Sequence, residues 1–110
     1  MKPLFETGLV ERVLAILDDG DMAYKDFGVD RHDPNIAEAF YKIRFENYAY
    51  VEIFADKIRF TIGTVDVAYE VDEEYEFVHD LKDAVSLIKG GKLPKFDLNG
   101  GLGVVEDKED

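Results

Sequence analysis

Two histidines, each followed by an aspartate, are the first places in this chain where proton transfer or metal binding could be assembled: His32-Asp33 and His79-Asp80. An imidazole titrates near neutrality and ligates divalent metals, and an adjacent carboxylate can orient it or share an ion. Asp30, His32 and Asp33 fall together in a stretch without periodicity, which makes them a candidate loop site at the rim of a small-molecule pocket. Three polar ligands so close in sequence do not close a metal site by themselves, and Asp33-Pro34 also reads as the start of a turn. His79 sits between Val78 and Asp80 in a helical pattern, where a surface position is the simpler expectation. No metal and no cofactor is expected at either place.

Nucleophilic catalysis is short of parts. The chain has no cysteine, its only serine is Ser86, and Thr7, Thr61 and Thr64 have no histidine near them in sequence. Asp18, Asp19 and Asp21 lack the alternating ligands and distal glutamate of a calcium loop. The glycines at 90–91 and 100–103 do not stand between a strand and a helix N-terminus, where a phosphate cradle forms. Among 25 acidic residues a carboxylate pair can always be found, so finding one carries no information. No catalytic residue is assigned, and a non-enzymatic protein is expected.

A different chemistry resides in the alternating stretch from 40 to 61. If Val51, Ile53, Ile58, Phe60, Val65 and Val67 face a core, the opposite face carries Phe40, Lys42, Arg44, Tyr48, Tyr50, Phe54, Lys57 and Arg59, with Glu52 and Thr61 among them. Four aromatics and four cations on one sheet face suit a protein partner or a second copy of the chain, with charges at the rim. The competing expectation is that Phe96 and Leu98, near the C-terminus, cover those aromatics within the monomer.

The elements that must hold these residues are legible in outline. Leu9, Val10, Val13, Ile16 and Leu17 recur at helical spacing, and Gly20 is the expected left-handed stop. Residues 21–37 carry Gly28 and Pro34 without a sustained period and read as an irregular connection. Four period-two runs follow, centred on Tyr41–Phe45, Ala49–Ile53, Ile58–Ile62 and Val65–Val71. A two-residue hairpin loop sets its flanking residues opposite one another on one face. Gly63-Thr64 satisfies that rule by pairing Ile62 with Val65, and Asp56-Lys57 by pairing Ala55 with Ile58. Glu46-Asn47 does not, since it would set Ile43 against Tyr50, so an odd loop over residues 46–48 or a bulge is predicted. Asp72 is the expected cap of a second helix, with Phe77, Leu81, Ala84, Val85 and Ile88 inward and Lys89 before Gly90-Gly91.

The fold expected is therefore α+β: an N-terminal helix, a four-stranded antiparallel meander in the order 1-2-3-4 and a C-terminal helix, with both helices on one sheet face. One domain spans residues 1–110, with a core over 1–91 and an acidic, glycine-containing tail over 92–110. At 110 residues and 46% hydrophobic composition, the chain can bury a single core without disulfides. No run approaches the ~18 apolar residues of a membrane span. The N-terminus lacks a secretory signal, so the expected compartment is the cytoplasm. A net charge of −12 repels nucleic acid and anionic membrane and attracts basic partners. The function these features predict is a small acidic protein-binding factor of inhibitor, immunity or chaperone type, working through acidic patches and the aromatic and basic sheet face. The alternative is a small-molecule binder or enzyme with a pocket beside residues 21–37.

Overall fold

Apolar residues three and four apart build α1, Leu9–Asp19, whose buried side is Leu9, Val10, Val13, Ile16 and Leu17. The structure, a computed structural model, describes residues 2–30 and 39–105. A 3-10 turn at Leu4–Glu6 precedes the helix, and the Leu4 N–H donates to the Ala55 carbonyl at 2.9 Å, tying this segment to the sheet. The helix stops at Gly20, but not in the expected conformation: Gly20 has φ −85°, and Asp21 takes the left-handed position at φ 59°. What Gly20 supplies is proximity, because a Cβ there would overlap Val85 Cγ1 on the second helix.

Five strands form one antiparallel sheet in sequential order: β1 Tyr24–Asp30, β2 Phe40–Phe45, β3 Ala49–Phe54, β4 Lys57–Ile62 and β5 Val65–Glu70. The expected meander is β2 to β5, and β1 is a strand the sequence hides. Its pairing with β2 shifts between Asp26 and Gly28, leaving Phe27 as the extra residue of a bulge. A bulge flips the alternation halfway, so neither half is long enough to show a period. Gly28 takes φ 71° beside it, a conformation glycine accepts without strain.

Parity decides the hairpins correctly in two cases. Phe45 pairs with Ala49, which leaves the odd loop 46–48, with Glu46 and Asn47 at φ 57° and 64°. Gly63-Thr64 closes the β4–β5 hairpin with Ile62 opposite Val65 and Phe60 opposite Val67. Between β3 and β4 the loop is Ala55-Asp56 instead of Asp56-Lys57, so Ile53 meets Ile58 and Val51 meets Phe60. That two-residue change of register keeps every side chain on its face, and alternation cannot distinguish the two.

After β5 a 3-10 turn, Val71–Glu73, leads into α2, Glu74–Lys89. Asp72 falls inside that turn and is not the cap; instead the Glu70 N–H donates to Glu73 Oε1 at 2.8 Å. Phe77, Val78, Leu81, Ala84 and Val85 are buried. Phe77 stands edge-on to Phe60 at 5.9 Å and to Tyr69 at 5.4 Å, locking the helix to the sheet. The Tyr69 hydroxyl also donates to Asp80 Oδ2 at 2.8 Å.

The last described stretch is more than a tail. Pro94–Phe96 and Leu102–Val104, β6 and β7, form an antiparallel pair. Asp97 Oδ1 stabilises their connection by accepting from the N–H groups of Asn99 and Gly101 at 2.8 and 2.9 Å. Phe96 is 3% exposed and stands edge-on to Phe60 at 5.3 Å, so this hairpin completes the helix side of the core. The expectation that Phe96 and Leu98 cover the opposite sheet face fails: Phe96 is on the core side, and Leu98 is fully exposed.

Candidate partner-binding face

The alternation that buries Ile43, Val51, Ile53, Ile58 and Phe60 against the helices turns Lys42, Arg44, Tyr50, Phe54 and Arg59 to the other side. This outer face holds two clusters of rings and cations joined by an ionic strip. At one end, Phe54 is 6% exposed, with the Phe40 ring at 5.0 Å, the Lys57 ammonium 4.9 Å and the Arg59 guanidinium 5.4 Å from its centroid. Phe54 is therefore filler for its neighbours and offers little surface itself.

In the middle, Arg59 Nε donates to Glu52 Oε1 at 2.8 Å, and Asp66 Oδ2 lies 3.9 Å away. Glu52 is 8% exposed, and its hydrogen bond is the main reason the Arg59 guanidinium is held above its ordinary pKa. Tyr50, Glu52, Arg59, Thr61 and Asp66 border a shallow polar groove of about 370 Å³ there.

At the other end the bulge of β1 presents Phe27, 44% exposed. Lys25 Nζ, Lys42 Nζ and Arg44 Cζ stand 5.1, 5.5 and 5.8 Å from its ring centroid, and Lys42 Nζ is also 4.7 Å from that of Tyr50. Among the described residues, none of these three cations has a carboxylate within ion-pair distance. Asp26, in β1, is occupied: its Oδ1 accepts from the Gly28 N–H at 2.9 Å, and its Oδ2 accepts from the Tyr41 hydroxyl at 2.7 Å. Burial, then that hydrogen bond, pushes the Tyr41 phenol up to about 12. A cleft of about 240 Å³ lined by Ala23, Tyr24, Lys25, Arg44, Glu46 and Asn47 adjoins this cluster through Lys25 and Arg44.

Phe40, Lys42, Arg44, Tyr50, Phe54, Lys57 and Arg59 are thus brought onto one face as the alternation requires. Tyr48 is not: it sits in the 46–48 loop, half-buried against the core cluster, and burial raises its pKa. Lys25 and Phe27 belong to the face but escape sequence reasoning, because the only signal is their spacing of two, which Gly28 ends. The side chain of Asp30, and His32 and Asp33, the loop-site candidates, lie outside the described residues. His79, Asp80 and Asp83 bring one ligand atom each within 4.8 Å of one another. However, Asp80 is engaged by Tyr69, and His79 Nδ1 lies 3.5 Å from Asp83 Oδ2 on an exposed helix surface. Among the described residues no helix is long and apolar enough to cross a membrane. Comparison with protein families, with curated proteins and with solved structures finds no match for this chain.

Proposed function

We propose that this chain is a non-enzymatic binding protein that docks a protein partner on the outer face of its sheet, in the manner of an inhibitor, immunity or chaperone factor. The observation that carries the reading is the Phe27 corner: a half-exposed ring surrounded by three cations that have no ion-pair partner among the described residues. Aromatic and arginine side chains that are exposed together are the groups that dominate protein interfaces. Both helices and the C-terminal hairpin pack on the other side of the sheet, so no described element competes for this face. The acidic remainder of the surface, with a net charge of −12 for the chain, favours partners with basic flanks and speeds their encounter at low salt.

A pull-down with the intact chain as bait, at low and moderate salt, tests this. The expected result is a protein retained by the wild type, weakened by salt and lost when Lys42 and Arg44 are both replaced by glutamate. Retention that ignores both the salt and the double substitution overturns the assignment of the face.

A further inference from the structure

The outer face is locally at odds with the charge of the chain that carries it. Acids outnumber bases 25 to 13 in the sequence, yet Lys25 and Arg44 stand directly opposite one another across β1 and β2. Like charges in directly opposed positions of an antiparallel pair are destabilising. Lys42 has Glu52 as its cross-strand neighbour, but that carboxylate is committed to Arg59, and the Lys42 ammonium lies over the Phe27 and Tyr50 rings. Ring faces offset part of the repulsion among three gathered cations. An anion placed among them would offset more.

We infer that the Phe27 corner is a receptor for a carboxylate-bearing segment of a protein partner, with Lys25, Lys42 and Arg44 holding the acid and Phe27 packing against the stem beside it. The cleft that adjoins the corner through Lys25 and Arg44 is of side-chain size; Asn47 and Tyr24 share its walls, and Glu46, the one acid lining it, is outnumbered there by the two cations. A carboxylate there completes a charge-assisted set in which the arginine fork can donate two parallel bonds.

Other anionic occupants fit less well. A nucleic acid strand would have to continue from the corner over Glu52 and Asp66 and then along a surface of net charge −12. A second copy whose two-fold axis passes through the corner would set cations against cations. A short acidic segment needs only the corner.

This inference rests on the docking face proposed above and adds the chemistry of what docks. The ¹⁵N-labelled chain is titrated with a synthetic peptide of glutamate and tyrosine, with the same peptide carrying glutamine for glutamate, and with single-stranded oligothymidine. Saturable shifts at Lys25, Phe27, Lys42 and Arg44 are expected with the acidic peptide alone. Lys25→Gln with Lys42→Gln, and separately Phe27→Ser, are expected to weaken binding at least tenfold while preserving the amide spectrum of the core. Equal binding of the glutamine peptide, tighter binding of oligothymidine, or affinity unchanged by the substitutions overturns the inference. So does a concentration-dependent dimer that the substitutions abolish. If a pulled-down partner occupies this face but is not displaced by the acidic peptide, the docking face stands and only the carboxylate chemistry falls.

Discussion

Tyr69 is 5% exposed and spends its one polar atom on Asp80, so a single hydroxyl joins β5 to α2 where both are otherwise apolar. Tyr69→Phe keeps the ring against Phe77 and leaves Asp80 half-buried without its donor, which is expected to destabilise the fold by about 1–2 kcal/mol in urea unfolding near neutral pH. The same pair sets an alkaline limit. Burial first, and then the bond to Asp80, raises the Tyr69 pKa above the ordinary phenol value, so the folded state retains a proton that the unfolded chain releases. The stabilisation is complete below a pH of about 10, the unfolded value, and declines as pH rises toward the folded one. Tyr41, at about 12 and less buried, adds a smaller share in the same direction. Unfolding midpoints measured at several pH values should therefore fall above pH about 10, with a slope that Tyr69→Phe reduces. An unchanged slope would show that Tyr69 titrates normally.

Two contacts between elements depend on residues that look like punctuation. Gly20 reads as a helix stop, yet its conformation is open to any residue and the lack of a Cβ is what lets α1 approach Val85. Gly20→Ala is expected to destabilise by about 1–3 kcal/mol through overpacking, and Val85→Ala in the same chain should recover part of that loss. Simple addition of the two costs would place the strain elsewhere. Phe96 belongs to a segment that reads as a tail, and Phe96→Ala is expected to cost about 3–5 kcal/mol in thermal or urea unfolding, as for other buried rings. How much of this was legible followed from parity. The odd loop 46–48 and the Gly63-Thr64 turn could be read because a wrong choice would have turned Ile43 or Val65 to the wrong face. Ala55-Asp56 and Asp56-Lys57 could not be separated, since both keep Ile53 and Ile58 inward. β1 was hidden by its bulge at Phe27, and with it went Lys25 and Phe27, half of the most exposed part of the candidate face. The three-residue strand ending at Phe96 was too short for any period and took its place through the Phe60 ring, a contact 36 residues away that no local pattern records.

At the scale of the whole molecule, a charge of −12 is set against a few local ion pairs, and salt separates the two. At about 0.01 M salt the Debye length is ~30 Å, and at about 0.1 M it is ~10 Å. The first exceeds the 14.2 Å radius of gyration, so repulsion among the acids then reaches across most of the molecule. The local pairs weigh less in this balance: Arg12 and Glu74 are 3.8 Å apart at an accessible site, and Arg59–Glu52 is partly buried and therefore screened less. Adding sodium chloride over that range should raise the thermal midpoint by a few degrees, the equivalent of about 0.5–1 kcal/mol. A falling midpoint would mean that the pairs dominate. Once long-range repulsion is screened, Arg44→Glu becomes informative, because it makes the chain more acidic overall while giving Lys25 an opposite charge directly across the strand. The local gain, about 0.2–1 kcal/mol for such a cross-strand pair, should then exceed the screened global cost. At about 0.1 M salt this variant is expected to unfold at or above the wild-type midpoint, while losing the acidic peptide. Stability that rises as binding disappears is the behaviour of charges kept together for a partner; a variant less stable than wild type at that salt would mean that Arg44 serves the fold.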